Sequence, residues 1–311
     1  MTIQLRIAAP ESLSDSIVRE CRSFAGTAGL SVSSGASLIP AGDVITVLIP
    51  REAADRLLQR LHAMGVPELG AVTITEPELV LSKRADKVEK RVPGEGVDAV
   101  IWDEVEGSLG EDSRLSWSYL VFLIIALQLA GIGIVTNSTI AVVGAMVVGP
   151  EFGPLAALAM GLIERRMTLV RNAVVALALG FPLAMLVTAA ATWISRPWGI
   201  YSPDALSQGS AVEFIYHPGP YSFIVAVLAG AAGMMSLIGR KSSALVGVFI
   251  SVTTVPAAGF AAVALVLGDA PKAGASAIQL ALNLAGIVIS GIVVLLFHRF
   301  VRAHKTPRSP K

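Results

Sequence analysis

The chain has 311 residues, 54% of them hydrophobic and 15% charged, with a net charge of +1. Soluble domains carry about 25% charged residues, so composition excludes an ordinary soluble globule for the chain as a whole. The net charge argues neither for nor against nucleic acid, but no basic tract interleaved with aromatics appears, so nucleic acid is not an expected partner.

Polarity is unevenly distributed. Residues 1–118 read as soluble protein, and Tyr119 to about Phe297 is apolar with short polar breaks. The expected division is a cytoplasmic domain over 1–82, a charged linker and pre-membrane helix over 83–118, a membrane domain over 119–298, and a basic tail over 299–311. No signal-peptide core precedes the first domain, so its expected place is the cytoplasm.

"TIQLRIAAP" alternates polar and apolar residues, as a half-buried strand does. Ser12 to Phe24 follows at helical spacing, with Leu13, Ile17, Val18, Cys21 and Phe24 on one side. Cys21 is the sole cysteine, so it has no disulfide partner within the chain and reads as a small core residue. "LSVSSGASLIP" and "VITVLIP" are two further strands around a turn at Pro40 to Asp43. Arg51 to Met64 is a helix with Leu57, Leu58, Leu61 and Met64 inward, broken by Gly65 to Gly70. "AVTITEPELVLS" gives the last strand. The order βαββαβ predicts a ferredoxin-like α+β domain. That fold hosts many functions. An oligomerisation or folding module is one reading, and a small-ligand sensor is the other.

"KRADKVEKRVPGEG", from Lys83 to Gly96, reads as a linker. Val97, Ile101, Val105 and Leu109 then recur every four residues, which predicts a short amphipathic helix with an acidic outer face. Packing on the soluble domain suits that face better than a lipid surface, where Lys and Arg are usual.

A membrane span needs about 20 apolar residues. Six are expected: Tyr119 to Val135, Ile140 to Ile163, Ala173 to Ile194, Ser222 to Gly239, Ala244 to Leu267, and Ala277 to Phe297. One set of loops and the tail hold Arg165, Arg166, Arg171, Arg240, Lys241, Arg299, Arg302, Lys305, Arg308 and Lys311; the other holds Arg196 and Lys272. The first set is expected on the cytoplasmic side, with both termini. The external loop from Ser195 to Tyr221 carries Trp198, Tyr201, Asp204, Glu213, Tyr216 and His217. Glu213 and His217 have i,i+4 spacing, but "YHPGPY" is turn-like, and two ligands do not make a metal site.

The second span contains "VVGPEFGPLA", which sets Glu151 between two Gly-Pro pairs, Gly149–Pro150 and Gly153–Pro154. Proline removes a backbone donor and clashes with the preceding turn. The freed carbonyls must face protein, water or an ion rather than lipid. The fifth span carries a weaker counterpart, "VPAAGFAA": Gly144 pairs with Gly247, Pro150 with Pro256 and Gly153 with Gly259. The two spans are three apart and run oppositely, which predicts a 3+3 inverted repeat. Other polar residues at membrane depth are Gln128, Thr253, Thr254, Gln279 and Asn283.

"NSTIAVVGAMVVGPEFGPLAALAMGL", with "SALVGVFISVTTVPAAGFAAVAL" and "LALNLAGIVISG", resembles the bacterial membrane family called domain of unknown function 389. The resemblance covers about residues 115 to 300, and Asn137, Ser138, Gly144, Ala145, Met146, Pro150, Gly153 and Pro154 match its pattern. The N-terminal module also looks like that of actinobacterial members. Many members carry an apolar residue at the position of Glu151 and Ser at that of Gly149. The resemblance implies the membrane architecture; the family's name carries no activity.

The expected function is a transporter or ion-coupled permease in the plasma membrane. Its substrate or ion site comprises Glu151, Gly149, Pro150, Gly153, Pro154, Asn137, Thr253, Thr254, Pro256, Gly259 and Asn283. An oligomeric channel and a receptor or scaffold are the alternatives. No nucleophile–base pair, metal cluster or cofactor loop points to an enzyme. The expected partners are the lipid bilayer, a small solute or ion, and further copies of the chain.

Overall fold

The computed structural model describes residues 1–92, 100–199, 219–239, 248 and 253–305. The chain forms two compact units, Met1–Val105 and Glu106–Lys311.

In the first unit, β1 (Thr2–Pro10) is followed by α1 (Glu11–Ser23), β2 (Gly29–Leu38), β3 (Ala41–Pro50), α2 (Arg51–Ala63), a single turn α3 (Val66–Leu69), and β4 (Ala71–Thr75). The strands make one antiparallel sheet in the order β2–β3–β1–β4. The alternation in β1 buries Ile3, Leu5, Ile7 and Ala9 on one face, where α1 adds Ile17 and Cys21 and α2 adds Leu57 and Leu61. Gly65 takes a left-handed conformation (φ 73°) just past α2, the stop that glycine makes without steric cost. The last strand is shorter than its sequence pattern. It ends at Thr75, two residues before Pro77, which has no N–H to offer a ladder.

The unit also runs past the expected boundary at residue 82. Helix α4 (Lys83–Glu89) forms inside the expected linker, with Ser82 capping it through the N–H of Ala85. Val92 and Ile101 are buried in the same core, partly covered by Val88. These apolar residues fold what a charge count reads as a tether. Arg51 is buried at the start of α2 and pairs with Glu76 and Glu104.

Helix α5 (Trp102–Asp112) is the expected amphipathic helix, with Val105 and Leu109 buried; Val97 lies outside the described residues. The second unit continues with α6 (Trp117–Val135), α7 (Thr139–Val148), α8 (Phe152–Ile163), α9 (Met167–Ser195), α10 (Pro220–Ile238), α11 (Thr254–Leu267) and α12 (Ala270–Lys305). Among the described residues, four helical stretches are long and apolar enough to cross a membrane: Trp117–Val135, Met167–Trp198, Pro220–Ile238 and Ala270–Val301. Helices α7 and α8 meet at 47° and make a fifth if they are one span. The expected fifth span, Ala244 to Leu267, is represented by α11; residues 240–247 and 249–252 lie outside the described residues.

Every residue of α11 except Leu265 and Val266 is buried. Its neighbours are α6, α9 and α12. Gly259 makes the contact with α6 possible: a Cβ there would lie 2.9 Å from the Ala130 Cβ and 3.0 Å from the Leu127 carbonyl oxygen. The outer faces of the other helices carry Phe122, Ile125, Leu179, Leu183, Leu186, Leu228, Ile289 and Val293 exposed. An apolar belt of this extent fits a lipid environment, not water. The second unit is therefore a membrane-spanning helical domain.

Candidate functional site

The backbone breaks at Gly149–Glu151, between α7 and α8. Gly149 ends α7 in an extended conformation (φ −62°, ψ 127°), and Glu151 is the residue that precedes α8. Pro154 is then the third residue of α8, inside the first turn, where a helix has no use for that N–H. Helix α11 begins the same way: Thr253 precedes it, and Pro256 is its third residue. By position in its helix, Pro256 is thus the counterpart of Pro154, whereas the sequence comparison paired it with Pro150. Gly247, the other half of the expected glycine pairing, lies outside the described residues.

The starts of α8 and α11 meet. The Thr254 hydroxyl donates to Glu151 Oε1 at 2.5 Å, and both residues are buried. Glu151 is 6% exposed, and its Oε2 has no hydrogen-bond partner among the described residues. Gly149 makes room for that carboxylate: a Cβ there would collide with Glu151 Oε2 and with Val255 Cγ2. A buried carboxyl with one bonded and one free oxygen is a high-energy arrangement unless a proton, ion or solute satisfies it. Two helix N-termini beside it lend positive partial charge.

A polar chain from α12 continues the site. Gln279 Nε2 donates to Asn283 Oδ1 at 3.1 Å, and Asn283 Nδ2 donates to Thr253 Oγ1 at 2.8 Å. Ser276 bonds the Ala257 carbonyl at 2.8 Å. Gln279 Oε1 is buried without a partner among the described residues. Ser276, Gln279 and Asn283 recur at three- and four-residue steps and so share one face of α12.

Of the residues singled out from the sequence, Glu151, Gly149, Pro150, Gly153, Pro154, Thr253, Thr254, Pro256 and Asn283 cluster here. Two stand apart. Asn137 is an exposed turn residue with φ 50°, at the far end of the ten-residue α7 from the break. Gly259 serves the contact with α6. Sequence reasoning left out Tyr119, which is buried on α6, has no hydroxyl partner among the described residues and lies within electrostatic reach of Glu151. A tyrosine at the start of a span reads as an interfacial anchor, and no local pattern ties it to a residue in the next helix. Glu213 and His217 lie outside the described residues.

A cavity of about 360 Å³ opens beside the break. Its wall includes Tyr119, Phe122, Gly149, Pro150, Phe152 and Gly153. Polar residues from the end of α5 and the start of α6 line the remainder. Gly153 fits closely under that end: a Cβ there would lie 2.8 Å from the Asp112 Cβ. Burial pushes the Asp112 carboxyl above the usual range, and neighbouring Glu111 adds to the shift.

Comparison with known proteins agrees with this layout. The family described as Domain of unknown function (DUF389) matches residues 146–289. Residues 146–289 are similar to this family's domain. The matched stretch takes in the break before α8, the whole of α11 and the polar face of α12, and stops short of α5 and α6. It is narrower than the stretch of about 115 to 300 expected from the motifs. The chain is also similar to the "Uncharacterized protein MJ0678" of Methanocaldococcus jannaschii, at 21% identity over 280 residues, covering 89% of this chain and 82% of that protein. That relative is archaeal, so the likeness extends beyond the bacterial family expected from the sequence. No solved structure matches the chain.

Proposed function

We propose that the protein is a transporter or ion-coupled permease whose site is the junction of α8 and α11 around Glu151. The observation that carries this reading is the Glu151 carboxyl, buried among apolar helices with one oxygen held by Thr254 and the other without a partner among the described residues. An ionisable group inside a membrane domain marks a functional site by default. Helix α11 supports placing the junction at depth. Its 14 residues span about 21 Å, short of the roughly 30 Å hydrocarbon core, so one that ends near a membrane surface begins inside.

The finer architecture belongs to the same proposal. α7 with α8 is one broken span, and α11 completes another, which makes six. The two halves form an inverted repeat, with α8 and α11 in matching places and their N-termini facing the site. This is the arrangement in which half-helices bind solutes and coupling ions. The first unit, with sheet order β2–β3–β1–β4, is a ferredoxin-like cytoplasmic domain, and the protein assembles as a homo-oligomer in the plasma membrane.

The test is flux in proteoliposomes. Ion or solute movement that needs the protein should be lost in Glu151→Gln, which keeps an acceptor for Thr254 and removes the charge and the exchangeable acid proton. Unaltered flux and ion coupling in that variant would remove Glu151 from the mechanism.

A further inference from the structure

Two buried side-chain oxygens near the break lack hydrogen-bond partners among the described residues: Glu151 Oε2 and the Tyr119 hydroxyl. Tyr119 and Gly149 both line the cavity, and Glu151 Oε2 packs against the bare Cα of Gly149. At its other end the cavity meets Glu111, Asp112 and Arg114. A volume of about 360 Å³, with Glu111, Asp112, Arg114, Ser116 and Ser118 in its lining, has room for about ten waters at roughly 30 Å³ each.

We propose that this cavity is the water-filled entry by which protons reach Glu151, with Tyr119 as the relay at its inner end. A phenol hydroxyl both donates and accepts, which a relay requires and an ionised carboxylate lacks. One water between the phenol and Oε2 completes the path. That water gives a proton to Glu151 Oε2, the Tyr119 hydroxyl gives its proton to the water, and a cavity water returns one to the phenol oxygen. The net change is one proton moved from the cavity to Glu151, with no electrons transferred. The mouth then regains its proton from bulk water, with Asp112 and Glu111 as exchange groups.

The charges select a proton over a metal cation. A cation at Oε2 would face the positive ends of α8 and α11. A proton bound covalently to Oε2 removes the carboxylate charge and needs no coordination shell. The groups facing Glu151 are consistent with this. α6 contributes Tyr119, α11 contributes the neutral Thr254, and α12 contributes the neutral Gln279 and Asn283 to the adjoining network.

This inference rests on the transport reading of Glu151, but its test needs no substrate. Full-length protein in lipid nanodiscs is followed by infrared difference spectroscopy after transfer to deuterated buffer. The acid carbonyl band of Glu151 is identified by its loss in Glu151→Gln. Tyr119→Phe should retain the band and the thermal midpoint and slow its deuterium shift by about tenfold or more. In a Cys21→Ala background, Ser118→Cys capped with a bulky thiol reagent should slow the shift likewise, which covers the case that Tyr119→Phe fails to fold. Unchanged exchange with the capped cavity, or in a folded Tyr119→Phe, overturns the route; so does the absence of a Glu151-dependent acid band at every pH where the protein stays folded. Absence of any protein-dependent flux overturns the transport reading, and flux that survives Glu151→Gln removes Glu151 from it; both outcomes are distinct from a failed proton route.

Discussion

Thr254 donates the one hydrogen bond to Glu151 Oε1, so the two residues are unequal when removed singly. Thr254→Val keeps the volume and leaves the carboxyl buried without its side-chain hydrogen bond. The expected cost is about 1–3 kcal/mol, read as a lower thermal midpoint of the purified protein. Adding Glu151→Leu to that variant should restore much of the loss, because the buried carboxyl that lost its donor is then gone. Gly149→Ala tests the same spot by volume. Its methyl meets Glu151 Oε2 and Val255, so something must shift, at about 1–3 kcal/mol and with reduced flux. At this scale the sequence was informative where chemistry and helix-breaking coincide. A carboxylate between two Gly-Pro pairs marks itself, and Thr253, Thr254 and Asn283 are polar residues in apolar runs. Tyr119 was not legible, because its position beside Glu151 depends on how α6 packs. Asn137 was misplaced for the opposite reason: its motif neighbours are near in sequence, yet α7 carries them away from it.

The elements of the first unit were readable because strands of alternating polarity and helices with one apolar face have distinct periods. What the pattern missed was the fate of the charged stretch after β4. Helix α4 and the entry to α5 belong to the first unit because Val92 and Ile101 complete its core, and because Arg51 gathers Glu76 and Glu104 from separate segments. Arg51→Met should therefore cost about 3 kcal/mol in chemical denaturation, since it leaves two partly buried carboxylates without their guanidinium. Cys21 on α1 gives a pH dependence of defined sign. Burial, with Glu20 beside it, raises its thiol from 9.0 to about 11. The unfolded chain ionises first, so this contribution is complete below about pH 9 and is lost as pH rises through about 11. Stability of the first unit should fall over that window, by on the order of 2 kcal/mol, and Cys21→Ala should show a smaller fall.

For the whole molecule, the decisive quantity is the number of crossings. Five would put the termini on opposite sides, and six would put them on the same side. Two ion pairs bear on this. Glu164 at the end of α8 lies 3.5 Å from Arg299 near the end of α12, and Arg166 before α9 lies 3.2 Å from Glu106 on α5. The end of α8, the start of α9 and the end of α12 therefore share one end of the second unit, together with Arg165 and Arg299 of the basic set. Trp198 lies just past the other end of α9, a helix of 29 residues and about 43 Å, which is longer than the hydrocarbon core. If basic residues mark the cytoplasmic side, Arg166 and the chain after α12 face inward and Trp198 faces outward. Single cysteines in a Cys21→Ala background make this measurable. In right-side-out vesicles, Trp198→Cys should react with a membrane-impermeant thiol reagent, while Arg166→Cys and Arg302→Cys should react only after permeabilisation. A cysteine placed after Met1 should behave like the last two if α11 completes a sixth span. Reaction of that N-terminal cysteine from outside, with Arg302→Cys still protected, would leave an odd number of crossings and remove the symmetry on which the paired roles of α8 and α11 depend.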